Sequence, residues 1–137
     1  MLKDPEVMQY TSFERALTSE EVPVKLKEWI DLGAGDLGVW AVTNGNDLIG
    51  WAMLNNTHFE APEIGYMFNK VNWGQGYASE LVELLIGHAK MLGLEYVMAR
   101  VHPDNHVSIK VLEKSGLKSL EKQENLNTLV FYSDKLV

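Results

Sequence analysis

The sequence predicts an α+β domain, an α/β mixed sheet covered by helices on its faces, and three observations carry that expectation. Residues Gly38 to Thr43 and Asp47 to Leu54 read as strands separated by Asn44-Gly45-Asn46, the residue types a tight hairpin turn demands. A third strand-like run, Glu63 to Phe68, leads through a glycine-rich turn into residues 76 to 92, where Leu81, Val82, Leu85, Ala89 and Leu92 fall on one helical stripe. The resulting order of helix, three strands, helix, strand, helix and two strands interleaves the two kinds of element, as a helix-covered sheet requires.

The remaining elements follow from local chemistry. Asp4-Pro5-Glu6-Val7-Met8 opens a short helix, with Asp as cap and Pro at the first helical position. Thr18-Ser19-Glu20-Glu21 is a capping box ahead of Val22, Leu26, Trp29 and Ile30, and Gly33 is placed to end that helix. Gly65 inside the third strand suggests a bulge or a close approach. Tyr96 to His102 alternates as a buried strand. Asp104 or Asn105 caps a helix ending at Gly116, and Leu117 to Lys122 with Thr128 to Tyr132 forms a last hairpin across Gln123 to Asn127.

One domain spanning residues 1 to 137 fits the length, and 46% hydrophobic residues with four Trp and four Phe fill its core. No run of 18 apolar residues and no signal-peptide pattern occurs, so the expected place is the cytoplasm, with no membrane partner. A net charge of −7 argues against nucleic acid, whose binders cluster Lys and Arg, and favours a cationic substrate. The absence of Cys excludes a disulfide framework and a cysteine nucleophile, leaving any thiol chemistry to a bound cofactor. His102 and His106 are four apart, but a Pro lies between them and no third ligand is evident; no metal is expected.

The chemistry concentrates at Trp73-Gly74-Gln75-Gly76-Tyr77-Ala78, between a strand end and a long helix. Two glycines let the main chain turn tightly so that successive amides converge beside the positive end of the helix dipole, an anion site to which Ser79 adds a hydroxyl. The third glycine of a dinucleotide fingerprint would fall at Ser79, and no Gly-Lys-Ser/Thr triplet occurs, so neither NAD nor ATP is implied.

With Asp4-Pro5-Glu6-Val7-Met8, Pro62-Glu63-Ile64-Gly65-Tyr66, Asn105-His106-Val107-Ser108 and Leu112-Glu113-Lys114-Ser115-Gly116-Leu117, this turn resembles, over nearly the whole chain, the GNAT superfamily of N-acetyltransferases and its ribosomal-protein N-terminal branch. Trp73 stands where the superfamily pattern Gln/Arg-x-x-Gly-x-Gly/Ala has Gln or Arg, an aromatic being ordinary in that branch. The resemblance implies a mostly antiparallel sheet with a splayed parallel pair, and acetyl transfer from acetyl-CoA to a primary amine, either a protein N-terminus or a small molecule. It implies CoA held by amides of Gln75, Gly76, Tyr77 and Ala78 with Ser79, by the strand edge at Tyr66, Met67 and Phe68, and by Asn105. Ser108 is the implied acid toward the departing thiolate.

For the base, Glu63 is the first candidate and Glu60 the second, and the amide of Phe68 is a candidate for polarising the acetyl carbonyl. Trp29, Trp51 and Glu60 are placed in the acceptor groove. Family members usually carry a strand and helix ahead of the Asp-Pro-Glu segment. Their absence here leads us to expect an incomplete groove wall and an uncovered sheet edge able to pair with a second copy. The competing expectation is a CoA or acyl-CoA binding module or subunit without catalytic activity.

Overall fold

In a computed structural model, residues 1–11, 15–32, 35–56, 61–123 and 128–136 are described. Glu60 and Gly33 lie outside them. Capping chemistry starts the helices as expected. Helix α1 (Pro5–Met8) begins where the Asp4 carboxylate accepts the Glu6 amide at 2.9 Å. Helix α2 (Glu21–Leu32) begins with a reciprocal box: the Glu21 amide donates to the Thr18 hydroxyl at 3.2 Å, and the Thr18 amide donates to the Glu21 carboxylate at 3.0 Å. A bidentate pair with Arg15 holds the Glu21 carboxyl well below its ordinary range, at about 2.

Strands β1 (Gly38–Asn44) and β2 (Asp47–Asn55) form the expected hairpin, closed by the Asn44–Asp47 pair, with Gly45 at φ 63° in the left-handed region its turn needs. Strand β3 (Glu63–Phe68) pairs antiparallel with β2. After a short 3₁₀ turn at Lys70–Asn72 come helix α3 (Tyr77–Met91), strand β4 (Met98–Val101) and helix α4 (His106–Lys114), then the hairpin of β5 (Lys118–Gln123) and β6 (Thr128–Tyr132). Six strands run in the order β1-β2-β3-β4-β6-β5; only β3 and β4 are parallel, and the sheet does not close.

Side-chain alternation along β3 sends Ile64, Tyr66 and Phe68 to one face and Glu63, Gly65 and Met67 to the other. The first face carries the main core, where Ile49, Leu54, Ile64, Phe68, Leu81, Leu85, Leu112 and Phe131 pack. Against the second lie Leu2, Met8 and Leu17 around Met67, joined by Val22, Trp29 and Trp51. Each face of β3 therefore serves a different layer.

Three expectations change. Gly65 makes no bulge, since its pairing with Met53 is in unbroken register; the close approach comes from the Met53 side chain, whose Cε lies 3.1 Å from where a Cβ would stand. Strand β4 is shorter than the alternation of residues 96 to 102 suggested, because Tyr96, Val97 and His102 fall beyond its ladder. On α2 only Val22 and Trp29 turn inward, while Ile30 is 75% exposed. Helical spacing could place those four residues on a stripe but not show how much of it is covered.

Gly50 is the tightest point of the sheet: an added Cβ would strike the Met67 carbonyl oxygen and stand 2.9 Å from the Phe68 ring. Gly50→Ala should cost about 1–3 kcal/mol, as overpacking against rigid backbone does. Gly65→Ala is crowded by a flexible methionine tip, its other neighbours lying at ordinary contact distance, and should cost less. Paired thermal denaturation curves check the ranking, and an equal or reversed order would contradict it.

Candidate active site

The site is built around a split in the sheet. β3 and β4 share a single registered pair, Glu63 with Met98, and then diverge. The direction of the main-chain groups at the split follows from two hydrogen bonds. The Asn69 amide donates to the Ile49 carbonyl on the β2 side at 2.9 Å, whereas the Met98 amide donates to the Pro62 carbonyl on the β4 side at 3.0 Å. Since an antiparallel strand alternates its polar groups residue by residue, the amides of Tyr66 and Phe68 face β4, where no ladder partner meets them. An open strand edge thus lies inside the sheet.

At the far end of this edge the turn at 73–76 folds back into α3. The indole N–H of Trp73 donates to the Phe68 carbonyl at 3.1 Å, tying the turn to the end of β3. The Gln75 side-chain amide donates to the Val71 carbonyl at 3.3 Å. Gly74 and Gly76 have φ of 75° and 81°, and Gly76 is the N-cap of α3. The first hydrogen bond of that helix runs from the Glu80 amide to the Gly76 carbonyl at 3.2 Å, so the amides of Tyr77, Ala78 and Ser79 precede any helical acceptor. A Cβ built on Gly76 meets nothing within 4 Å. Free amides, the helix dipole and open space together suit a diphosphate. The Tyr77 ring stacks on Phe68 at 6.1 Å and its hydroxyl accepts from the Asn44 side-chain amide at 3.1 Å; packing thereby fixes the start of α3 against β3.

On the α3/α4 face, Asn105 caps α4: its Oδ1 accepts the Ser108 amide at 3.3 Å. That bond occupies the side-chain carbonyl and leaves the Nδ2 amide as donor. The Ser108 hydroxyl accepts from the Tyr66 phenol at 3.1 Å, joining α4 to β3 across the split. Burial pushes the Tyr66 phenol above its ordinary value, with the bond to Ser108 opposing the rise. The phenol stays protonated at neutral pH.

On the opposite face Glu63, 4% exposed, is gripped by Arg100: Nε reaches both carboxylate oxygens at 3.1 and 2.9 Å, and Nη2 reaches Oε1 at 2.9 Å. This carboxylate, the first candidate base, is thus buried with a charged partner from β4 on both of its oxygens. Trp29 and Trp51 meet at 4.7 Å, and the Trp51 indole nitrogen is buried without a hydrogen-bond partner among the described residues. Tyr10 lies against the His102 ring at 5.2 Å, at the end of β4. His102 Nδ1 accepts the Asp104 amide at 3.0 Å, which makes this histidine a turn residue. Among the described residues no group of three or more His, Cys, Asp or Glu is placed to hold a metal, and no helix is long and apolar enough to cross a membrane.

The structure brings Tyr66, Phe68, Gln75, Gly76, Tyr77, Ala78, Asn105 and Ser108 to the two sides of one split, with Glu63, Trp29 and Trp51 behind it. Arg100 was missed by sequence reasoning, although a lone charge in the otherwise apolar run Val97 to Val101 was its signal. So was the Tyr66 hydroxyl, for which sequence offered none.

A sheet split beside an amide cradle defines an acyl-CoA-transferase fold, and comparisons with known proteins agree. Residues 1–118 match the family described as acetyltransferase (GNAT) domain, and the chain belongs to that family. It is 29% identical over 131 residues to an FsC-acetyl coenzyme A-N(2)-transacetylase of Aspergillus fumigatus, covering 86% of this chain and 55% of that protein. It is similar to a GNAT-family acetyltransferase structure from Bacillus anthracis, with 25% identity, TM-score 0.73, and 96% and 81% of the two chains covered. A ribosomal L7/L12 α-N-protein acetyltransferase in complex with coenzyme A shares the fold at 19% identity and TM-score 0.77, over 98% and 84% of the chains. The chain spans about half the length of the curated relatives it matches.

Gly76→Val should weaken CoA binding at least about tenfold, because its branched side chain fills the space above the amides. Gly93 has φ 77° and equally open surroundings at the other end of α3, so Gly93→Val carries the same backbone strain, about 1–2 kcal/mol, away from the cradle. Calorimetric titration with CoA should show the loss only in the first variant; equal affinities in both would count against the cradle.

Proposed function

We propose that this chain transfers an acetyl group from acetyl-CoA to a primary amine by direct attack of the amine on the thioester. The observation that carries the reading is the open edge of β3 running into an amide cradle. The diphosphate would lie on the amides of Gln75 to Ala78 with the Ser79 hydroxyl beside it, and the pantetheine amides would pair with β3 at Tyr66 to Phe68 as an added strand would. The Asn105 Nδ2 amide, left as donor by the bond at Oδ1, would donate to the same arm. The amide of Phe68 faces the split and would polarise the acetyl carbonyl.

Attack by nitrogen requires a neutral amine, so a proton must leave as the new bond forms, and the departing thiolate must gain one. Ser108 delivers the second. Glu63 receives the first through an intervening water, with Arg100 fixing the direction of its carboxylate, and Glu60 is the second candidate. The indoles of Trp29 and Trp51 form the acceptor side, where the unpaired Trp51 N–H offers a donor to a polar acceptor group. The acceptor class, protein N-terminus or small amine, extends the reading, and fold likeness does not choose between them.

The grip of Arg100 on Glu63 favours one alternative, a module that holds acyl-CoA without turning it over. Thiol release with peptide amines, polyamines and amino acids separates the two, since tight CoA binding with no turnover on any acceptor supports the module. Glu63→Gln sharpens the test. As base, its loss should lower kcat by about 10²-fold or more with CoA affinity kept; a variant that only melts earlier, at unchanged kcat, would reduce Glu63 to a structural partner of Arg100.

A further inference from the structure

We propose that the Tyr66 phenol is the proton reserve behind Ser108, acting through the serine hydroxyl on the departing thiolate. The inference rests on the acyl-transfer reading above and adds to it the group that makes a serine competent as an acid.

The need arises from relative acidities. A serine hydroxyl is about as weak an acid as water, whereas a thiol titrates at about 8.5. A serine acting alone would be left as an alkoxide, with the proton moving steeply uphill. A phenol near about 10 shrinks that gap to about one or two powers. Burial widens it somewhat at Tyr66, yet the same burial keeps the phenol protonated and ready. A chain from phenol to serine to sulfur therefore avoids the alkoxide.

The geometry suits such a chain. The Tyr66 hydroxyl donates to Ser108 Oγ at 3.1 Å, and no second partner for that hydroxyl occurs among the described residues. With Oγ receiving a hydrogen from the phenol, the serine's own hydrogen is released to point elsewhere. The Ser108 amide is meanwhile fixed to Asn105 Oδ1, which places the serine in the first turn of α4 at the split. Tyr66 is itself half-buried against the core with its ring 6.2 Å from that of Phe68, so its position is set by packing.

The step balances. The C–S bond of the thioester breaks with its electron pair on sulfur; sulfur takes the Ser108 hydrogen; Oγ takes the Tyr66 hydrogen; and a phenolate remains. The proton shed by the attacking nitrogen passes through the intervening water to Glu63, and solvent returns one to the phenolate. The Tyr66 side chain touches neither substrate nor thiol in this scheme. It is a positioning and relay residue.

The test compares Tyr66→Phe, Ser108→Ala and the double variant of the full chain, with acetyl-CoA and whichever amine turns over. Tyr66→Phe should lower kcat by about 10²-fold, leave the KM for acetyl-CoA within about twofold, and keep CoA affinity and melting temperature. The double variant should be no slower than Ser108→Ala, because the two hydroxyls act as one unit. Wild-type kcat in Tyr66→Phe, losses that multiply in the double variant, or a loss of CoA affinity matching the loss of rate would each overturn the relay while leaving Ser108 as acid. Wild-type kcat in Ser108→Ala would instead overturn the reading of Ser108, and the relay with it.

Discussion

The divergence of β3 from β4 after one residue pair is the constraint on which the rest depends. A parallel pair inside a sheet would ordinarily satisfy its polar groups strand to strand, and a buried amide left without a partner costs about 1–3 kcal/mol. Here the amides of Tyr66 and Phe68 are turned toward a strand that has moved away. The ends of the split are held by side chains: Glu63 and Arg100 clasp β3 to β4 at the closed end, and Trp73 ties the turn to β3 at the open end. Between them the edge of β3 is left without a ladder partner from β4.

From that opening the division of labour between the two faces follows. Even-numbered residues of β3 meet α3 and α4, so the cradle, Asn105, Ser108 and the Tyr66 hydroxyl share one side with the main core. Odd-numbered residues meet α1, α2 and the tryptophans, the side where an acceptor would enter. Glu63 is odd-numbered and Tyr66 even-numbered, so the groups proposed for the two proton transfers stand on opposite faces of a single strand. The proposed acid and base would thereby be separated by the strand along which the thioester would lie.

Much of this was legible locally. The hairpin at Asn44 to Asp47, the boundaries of β3, the stripe of α3 and the capping box of α2 are written in turn chemistry and period, and the glycines at 74 and 76 announced an anion site because only a sharp turn into a helix needs them there. What sequence could not show depends on pairs far apart in the chain. The clasp of Glu63 by Arg100 joins positions 37 apart, and the contact of Tyr66 with Ser108 joins positions 42 apart. Neither strand spacing nor helix period bears on such contacts. The splay itself was implied by resemblance alone, since residues 63 to 68 read as an ordinary strand whether or not β4 stays beside them. Trp73 shows the reverse case, a departure from the family pattern that acquires a reason once its indole is seen on the Phe68 carbonyl.

The central claim is that an adenylated thioester lies along the open edge with its diphosphate on the first amides of α3. Amide chemical shifts of uniformly ¹⁵N-labelled protein, followed through a titration with CoA, test it most directly. The account predicts that the largest displacements fall on Gln75 to Ser79, with a second group at Tyr66, Phe68 and Asn105, all saturating together. Saturable binding that leaves the amides of 75 to 79 unmoved would contradict it.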